Sequence, residues 1–188
     1  MTKTKVGCAA LVGLLWGLLP ASAGEIARPG HWIGKRGTER TTLAVAADEG
    51  YGLLLIRCAR GQVAVSVDWA RYIGSKPIAV TTRIAGAEAS MSDWPLSANL
   101  RETVYPGDGA AYMRVLLSGS RLFAQLKAIA PADLVPQTTS VDDVIAGRVA
   151  RIDPPVPLAP ETLVAVSFDL TGLKTVTKAE GAQCQVPQ

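Results

Sequence analysis

Histidine occurs once in the 188 residues, at position 31, and that scarcity argues against Ser-His-Asp catalysis and multi-histidine metal sites. Beyond residue 23 there is no Gly-x-Ser-x-Gly elbow, Ser-x-x-Lys pair, phosphate-binding glycine loop or dinucleotide fingerprint. The usual signatures of hydrolases and nucleotide enzymes are therefore missing. Asp142, Asp143 and Asp153 lack the alternating oxygen ligands and central glycine of a calcium loop. Carboxylates for glycoside hydrolysis exist at Asp68, Glu88, Asp93 and Asp169, but sequence fixes no separation between them. No catalytic residue, metal or cofactor is assigned.

Long apolar runs are also scarce. The longest, Cys8 to Leu19, stops at Pro20, short of the ~20 residues that cross a bilayer. It follows Lys3 and Lys5 and precedes Ala21-Ser22-Ala23, the layout of a cleavable export signal. Residues 1–23 are read as that signal and Gly24 as the new N-terminus, which places the protein in the periplasm or outside the cell. Cys8 precedes the apolar region, the reverse of a lipoprotein cut, and leaves with the signal. About 165 residues remain, enough for one domain, 24–188, that buries about 70% of its unfolded surface. The formal charge of +3 falls to about +1 without the signal, too little for a general attraction to nucleic acid.

Cysteine is the next shortage: only Cys58 and Cys184 follow the signal. In an oxidising compartment two thiols far apart in sequence, one of them after an apolar run, read as a structural disulfide.

What is present is strand pattern. Leu53-Leu54-Leu55-Ile56 reads as a strand buried on both faces, and Val63, Val65, Val67 and Trp69 share one face of the next. Ala59-Arg60-Gly61 makes the hairpin loop between them. Residues 78–84 predict a strand, and 88–93 a shorter one beside it. Asp108 caps a helix over 109–118 that buries Tyr112, Val115 and Leu116 and stops at Gly119. Leu122, Ala124, Leu126 and Ala128 mark a half-buried strand, Thr162 to Leu170 another, and 172–180 a weak helix.

Half of the chain's 12 prolines fall in 130–160, at positions 131, 136, 154, 155, 157 and 160. This excursion holds a capping box, Ser140-Val141-Asp142-Asp143, opening a helix with Val141, Val144, Ile145 and Val149 on one side. That helix either packs back on the domain or serves as a lid or docking element through residues such as Val144 and Ile145. Trp94-Pro95-Leu96-Ser97 follows a strand, so Trp94 and Ser97 can anchor a partner or sugar, or the indole fills the core. Arg83, amid an apolar strand, binds an anion or pairs with an internal carboxylate.

Taken in order, Leu55-Ile56-Arg57-Cys58, Val67-Asp68-Trp69, Val80-Thr81-Thr82-Arg83-Ile84, Trp94-Pro95-Leu96-Ser97, Phe168-Asp169-Leu170-Thr171-Gly172-Leu173 and Cys184 resemble the type VI secretion-associated VasI family. The likeness covers most of 32–129 and 161–184. It implies an exported, disulfide-linked, sheet-rich accessory domain without known catalysis. Two departures stand out: Ala85 occupies the place of an aspartate two residues after the strand arginine, and 130–160 resembles an insertion.

The expectation is a mainly-β or α+β domain: an antiparallel sheet or sandwich with two or three short helices, locked by Cys58–Cys184. Its work is binding an envelope or secretion-apparatus protein through the 130–160 excursion and the 94–97 turn. The rival readings are a cell-wall enzyme using surface carboxylates and an envelope-stress or inhibitor protein unrelated to secretion.

Overall fold

Side-chain alternation on the strands builds two packed sheets. The computed structural model describes residues 30–129, 141–149, 151–154, 160–180 and 184. The export signal, its cut at Ala23, Ser140 and four of the excursion's prolines lie outside these.

The strands are β1 (Ile33–Arg36), β2 (Arg40–Ala46), β3 (Leu53–Ala59), β4 (Gln62–Asp68), β5 (Ile78–Ile84), β6 (Ser90–Trp94), β7 (Glu102–Val104), β8 (Arg121–Ile129) and β9 (Glu161–Asp169). Helices α1 (Gly109–Ser118), α2 (Val141–Ile145) and α3 (Leu173–Glu180) complete the described elements. One antiparallel sheet has the order β1-β2-β3-β4-β7 and the other β6-β5-β8-β9. Their inner faces meet through residues such as Leu54, Ile56, Val65 and Val67 on one side and Leu122, Leu126, Val166 and Phe168 on the other.

The β3–β4 hairpin forms where alternation predicts it, paired from Leu53↔Asp68 to Ala59↔Gln62. Its loop is two residues rather than three. Arg60 (φ 50°) and Gly61 (φ 78°) both take left-handed backbone, the mirror-image turn whose twist suits antiparallel strands. β1, β2 and β7 are additions to the predicted set.

Both sides of the sandwich are stitched. After β6 the chain runs through Pro95–Ser97 onto β7, with Val104 N–H donating to Pro95 O at 2.9 Å and Ser97 N–H to Glu102 O at 2.8 Å. Opposite, the β2–β3 loop reaches β9, where Asp48 N–H donates to Ser167 O at 2.9 Å. The Glu49 carboxylate accepts both the N–H and the hydroxyl of Ser167, each at 2.9 Å. Such caps protect a sheet edge from pairing with foreign strands.

Asp108 caps α1 as predicted, accepting from Ala110 N–H and Ala111 N–H. The buried set is Gly109, Met113 and Leu116, and Val115 is instead 46% exposed; at 100° per residue it turns away from the stripe that 109, 113 and 116 share. α1 lies so close to β4 that a Cβ on Gly109 would come within 1.9 Å of Val63 O. Gly119 does end the helix, but in extended backbone (φ −88°). Its missing side chain makes room for Ile84 Cγ2, 2.4 Å from where a Cβ would stand.

α2 packs back on the domain. Val144 sits on the outer face of the five-stranded sheet among Ile33, Ala44, Ala46, Leu53 and Leu55, with Ile145 and Val149 beside it. α3 lies along β1, where Gly34 leaves room for Glu180 and Arg36 donates to the carbonyls of Ala179 and Glu180. The disulfide joins Cys58 on β3 to Cys184 with a Cα–Cα distance of 5.0 Å, and both residues are buried.

Candidate binding face

The outer faces of the two sheets differ. α2 covers that of the five-stranded sheet, whereas no described element covers that of β6-β5-β8-β9. Outward positions there are Met91 and Asp93 on β6, Ala79, Thr81 and Arg83 on β5, Phe123, Gln125 and Lys127 on β8, and Leu163 and Ala165 on β9. The register stacks them in rows. Met91, Thr81, Gln125 and Ala165 form one row; Arg83 and Phe123 face each other on one side of it, and Lys127 faces Leu163 on the other.

Met91 is 71% exposed, Leu163 64% and Phe123 37%. Of the four large exposed apolar side chains among the described residues, only Val115 lies elsewhere. Two grooves cross the face, of about 640 Å³ and 350 Å³. The larger runs from the 73–79 segment past Met91 to Lys127 and Leu163. The smaller is lined by Glu49, Arg83, Phe123 and Ala165, and Thr81 and Gln125 belong to both. The Arg83 guanidinium lies 4.9 Å from the Phe123 ring centroid, a cation–π contact that lays the side chain along the sheet.

The residues singled out from sequence are thus dispersed. Arg83 is on this face, and its contact is an aromatic ring rather than an internal carboxylate. Trp94 is 1% exposed and is no surface anchor: it packs edge-on against Tyr105 and Tyr112, and its indole N–H donates to Ser92 Oγ at 3.0 Å. Ser97 is half-buried in the stitch to β7 and lines a 360 Å³ cleft with Arg57, Asn99 and Glu102. Val144, 2% exposed, is spent on the first sheet, and half-buried Ile145 packs beside it, so neither forms a free docking surface. His31 is exposed.

The four carboxylates considered for glycoside hydrolysis are not gathered in one place. Asp68, fully buried on β4, binds Arg101 Nε at 2.7 Å, and burial pushes its carboxyl above the usual range despite that partner. Its Oδ2 accepts no hydrogen bond. Asp169, at the end of β9 in the other sheet, is lowered by hydrogen bonds from Thr171. Glu88 and Asp93 lie exposed before and on β6. Among the described residues no three His, Cys, Asp or Glu side chains gather as metal ligands, and no helix is long and apolar enough to cross a membrane.

One signal in the sequence points to this face: Phe123 and Leu163 stand on the polar phase of strands whose other phase is apolar. Alternation marks them as outward-facing hydrophobes, and only the pairing register places Met91 on the same outer face.

Fold and face together define a disulfide-clasped β sandwich with one sheet left uncovered by the described elements. No protein-family model and no curated protein matches the chain. Its fold is similar to that in the crystal structure of invasion associated protein B from Bartonella henselae, with a TM-score of 0.50 and 13% identity over 82% of this chain and 94% of that one.

Proposed function

We propose that this protein is an exported, non-catalytic binding domain of the bacterial cell envelope that takes its partner on the outer face of β6-β5-β8-β9. One observation carries the reading: Met91, Phe123 and Leu163 all stand exposed on this one face, around two grooves, while the other sheet is covered by the chain's own α2. Grouped apolar side chains in water mark interaction sites, because covering them is favourable at about 25 cal/mol per Å².

The basic, apolar and small-residue order of positions 1–23 supports export, and a buried disulfide suits an oxidising compartment. The motif order similar to the type VI secretion-associated VasI family supports a partner among envelope or secretion-apparatus proteins.

The test is photo-crosslinking in the native periplasm, with the reactive residue at position 91 or 163 and, for comparison, at Arg60 in the β3–β4 turn. Both face positions are expected to trap the same protein and the turn position none. Adducts that are equally strong from all three sites, or absent from the face, would sink the proposal.

A further inference from the structure

The register of the open face specifies more than apolar contact. Arg83 lies opposite Phe123, and Lys127 is four residues farther along β8. At ~3.3 Å per residue the two cations stand about 13 Å apart along the strand direction. Between them lies the row of Met91, Thr81, Gln125 and Ala165.

Neither the Arg83 nor the Lys127 side chain has a hydrogen bond or ion pair among the described residues, and the same holds for the Lys76 side chain on the wall of the larger groove. Of the acids on or near the face, Glu49 is engaged by Ser167. Asp93 sits on the edge strand opposite Ala79, and Glu161 at the first position of β9, beyond Lys127. The central row is therefore flanked by a cation on each side along the strand direction, Arg83 in one neighbouring row and Lys127 in the other.

An extended chain presents side chains i, i+2 and i+4 on one face across the same about 13 Å. We propose that this face binds an extended protein segment bearing carboxylates at i and i+4 and an apolar residue at i+2, its acids on Arg83 and Lys127 and its apolar residue over Thr81, against the neighbouring Met91. The inference rests on the reading of this face as the binding surface. The concave grooves suit a chain laid in them better than a flat lipid surface.

The experiment selects a displayed library of random seven-residue peptides on the full exported protein. Enriched peptides are expected to share the acid-x-apolar-x-acid pattern. Against Arg83→Glu combined with Lys127→Glu, confirmed as folded by circular dichroism, their affinity falls by about tenfold or more. Lysine-for-acid versions of the peptides recover it. Arg83→Gln combined with Lys127→Gln, a milder change, is expected to weaken binding without that reversal.

Enrichment without paired acids, or affinity indifferent to both double variants, overturns the inference. So does binding to phosphatidylglycerol vesicles with no peptide enriched, which assigns the face to lipid. If Met91→Asp and Leu163→Asp abolish the periplasmic crosslink while the charge variants do not, the binding face stands and only this occupant fails. If enriched peptides ignore every substitution on the face, both fail.

Discussion

Asp68 and Arg101 meet at 2.7 Å with side chains 0% and 2% exposed, so each is the main answer to the other's lost hydration. Removing one partner strands the other. Arg101→Met is expected to cost about 3–5 kcal/mol in urea denaturation, whereas Asp68→Leu combined with Arg101→Met costs far less. The pH dependence of the single variant follows. Burial already raises the Asp68 carboxyl, and loss of Arg101 raises it further. A carboxyl raised in the folded state favours folding below its unfolded value, and that contribution is lost as pH rises through the folded one. Arg101→Met should therefore be least impaired in acid. Asp169 has the opposite sign: hydrogen bonds from Thr171 lower it, so its contribution is present above the ordinary aspartate range and disappears as pH falls through the folded value. Asp169→Asn should flatten that acid limb, as read by denaturation across a pH series.

Among the elements, α2 makes the clearest prediction. Val144 is 2% exposed on the first sheet, and Val144→Asp loses about 2 kcal/mol of apolar burial and adds a desolvated charge. Limited proteolysis should then cut near Arg148, while partner binding on the opposite sheet persists. Gly109→Ala forces a methyl to within 1.9 Å of Val63 O. α1 must shift, at about 1–3 kcal/mol.

The elements legible in the sequence were those whose pattern is written into residue type: the unbroken apolar run of β3, the β-branched β5, the alternation of β4, β8 and β9, and the capped α1. β2 was not legible. Its Thr41 to Ala46 stretch is buried on both faces and built of small and β-branched residues, so no period separates inside from outside. β7, with three residues, is too short to show one. The binding face was illegible for a different reason, since Met91, Phe123 and Leu163 lie on three strands that only register aligns. Of the two readings of Trp94 the core one holds, but the partners that bury it, Tyr105 and Tyr112, are separated from it in sequence and could not be named from it.

For the whole molecule the decisive feature is the bond between Cys58 and Cys184, 126 residues apart. In the chain-entropy model a loop of that length is worth about 5 kcal/mol, comparable to the net stability of a small domain. Cys58→Ala combined with Cys184→Ala should lose stability of that order, seen by calorimetry as a markedly lower Tm. The sandwich need not come apart locally at the partner face, because that face belongs to the sheet lacking the bond.

The placement of the two sulfurs also governs assembly. Six of the nine described strands, β4 through β9, lie between them, so the covalent lock can close only after all six have been made. From residue 24 onward there is no third thiol to trap it in a wrong connection. On the proposed reading of an exported chain cut at Ala23, maturation asks for an oxidase and has nothing for an isomerase to correct.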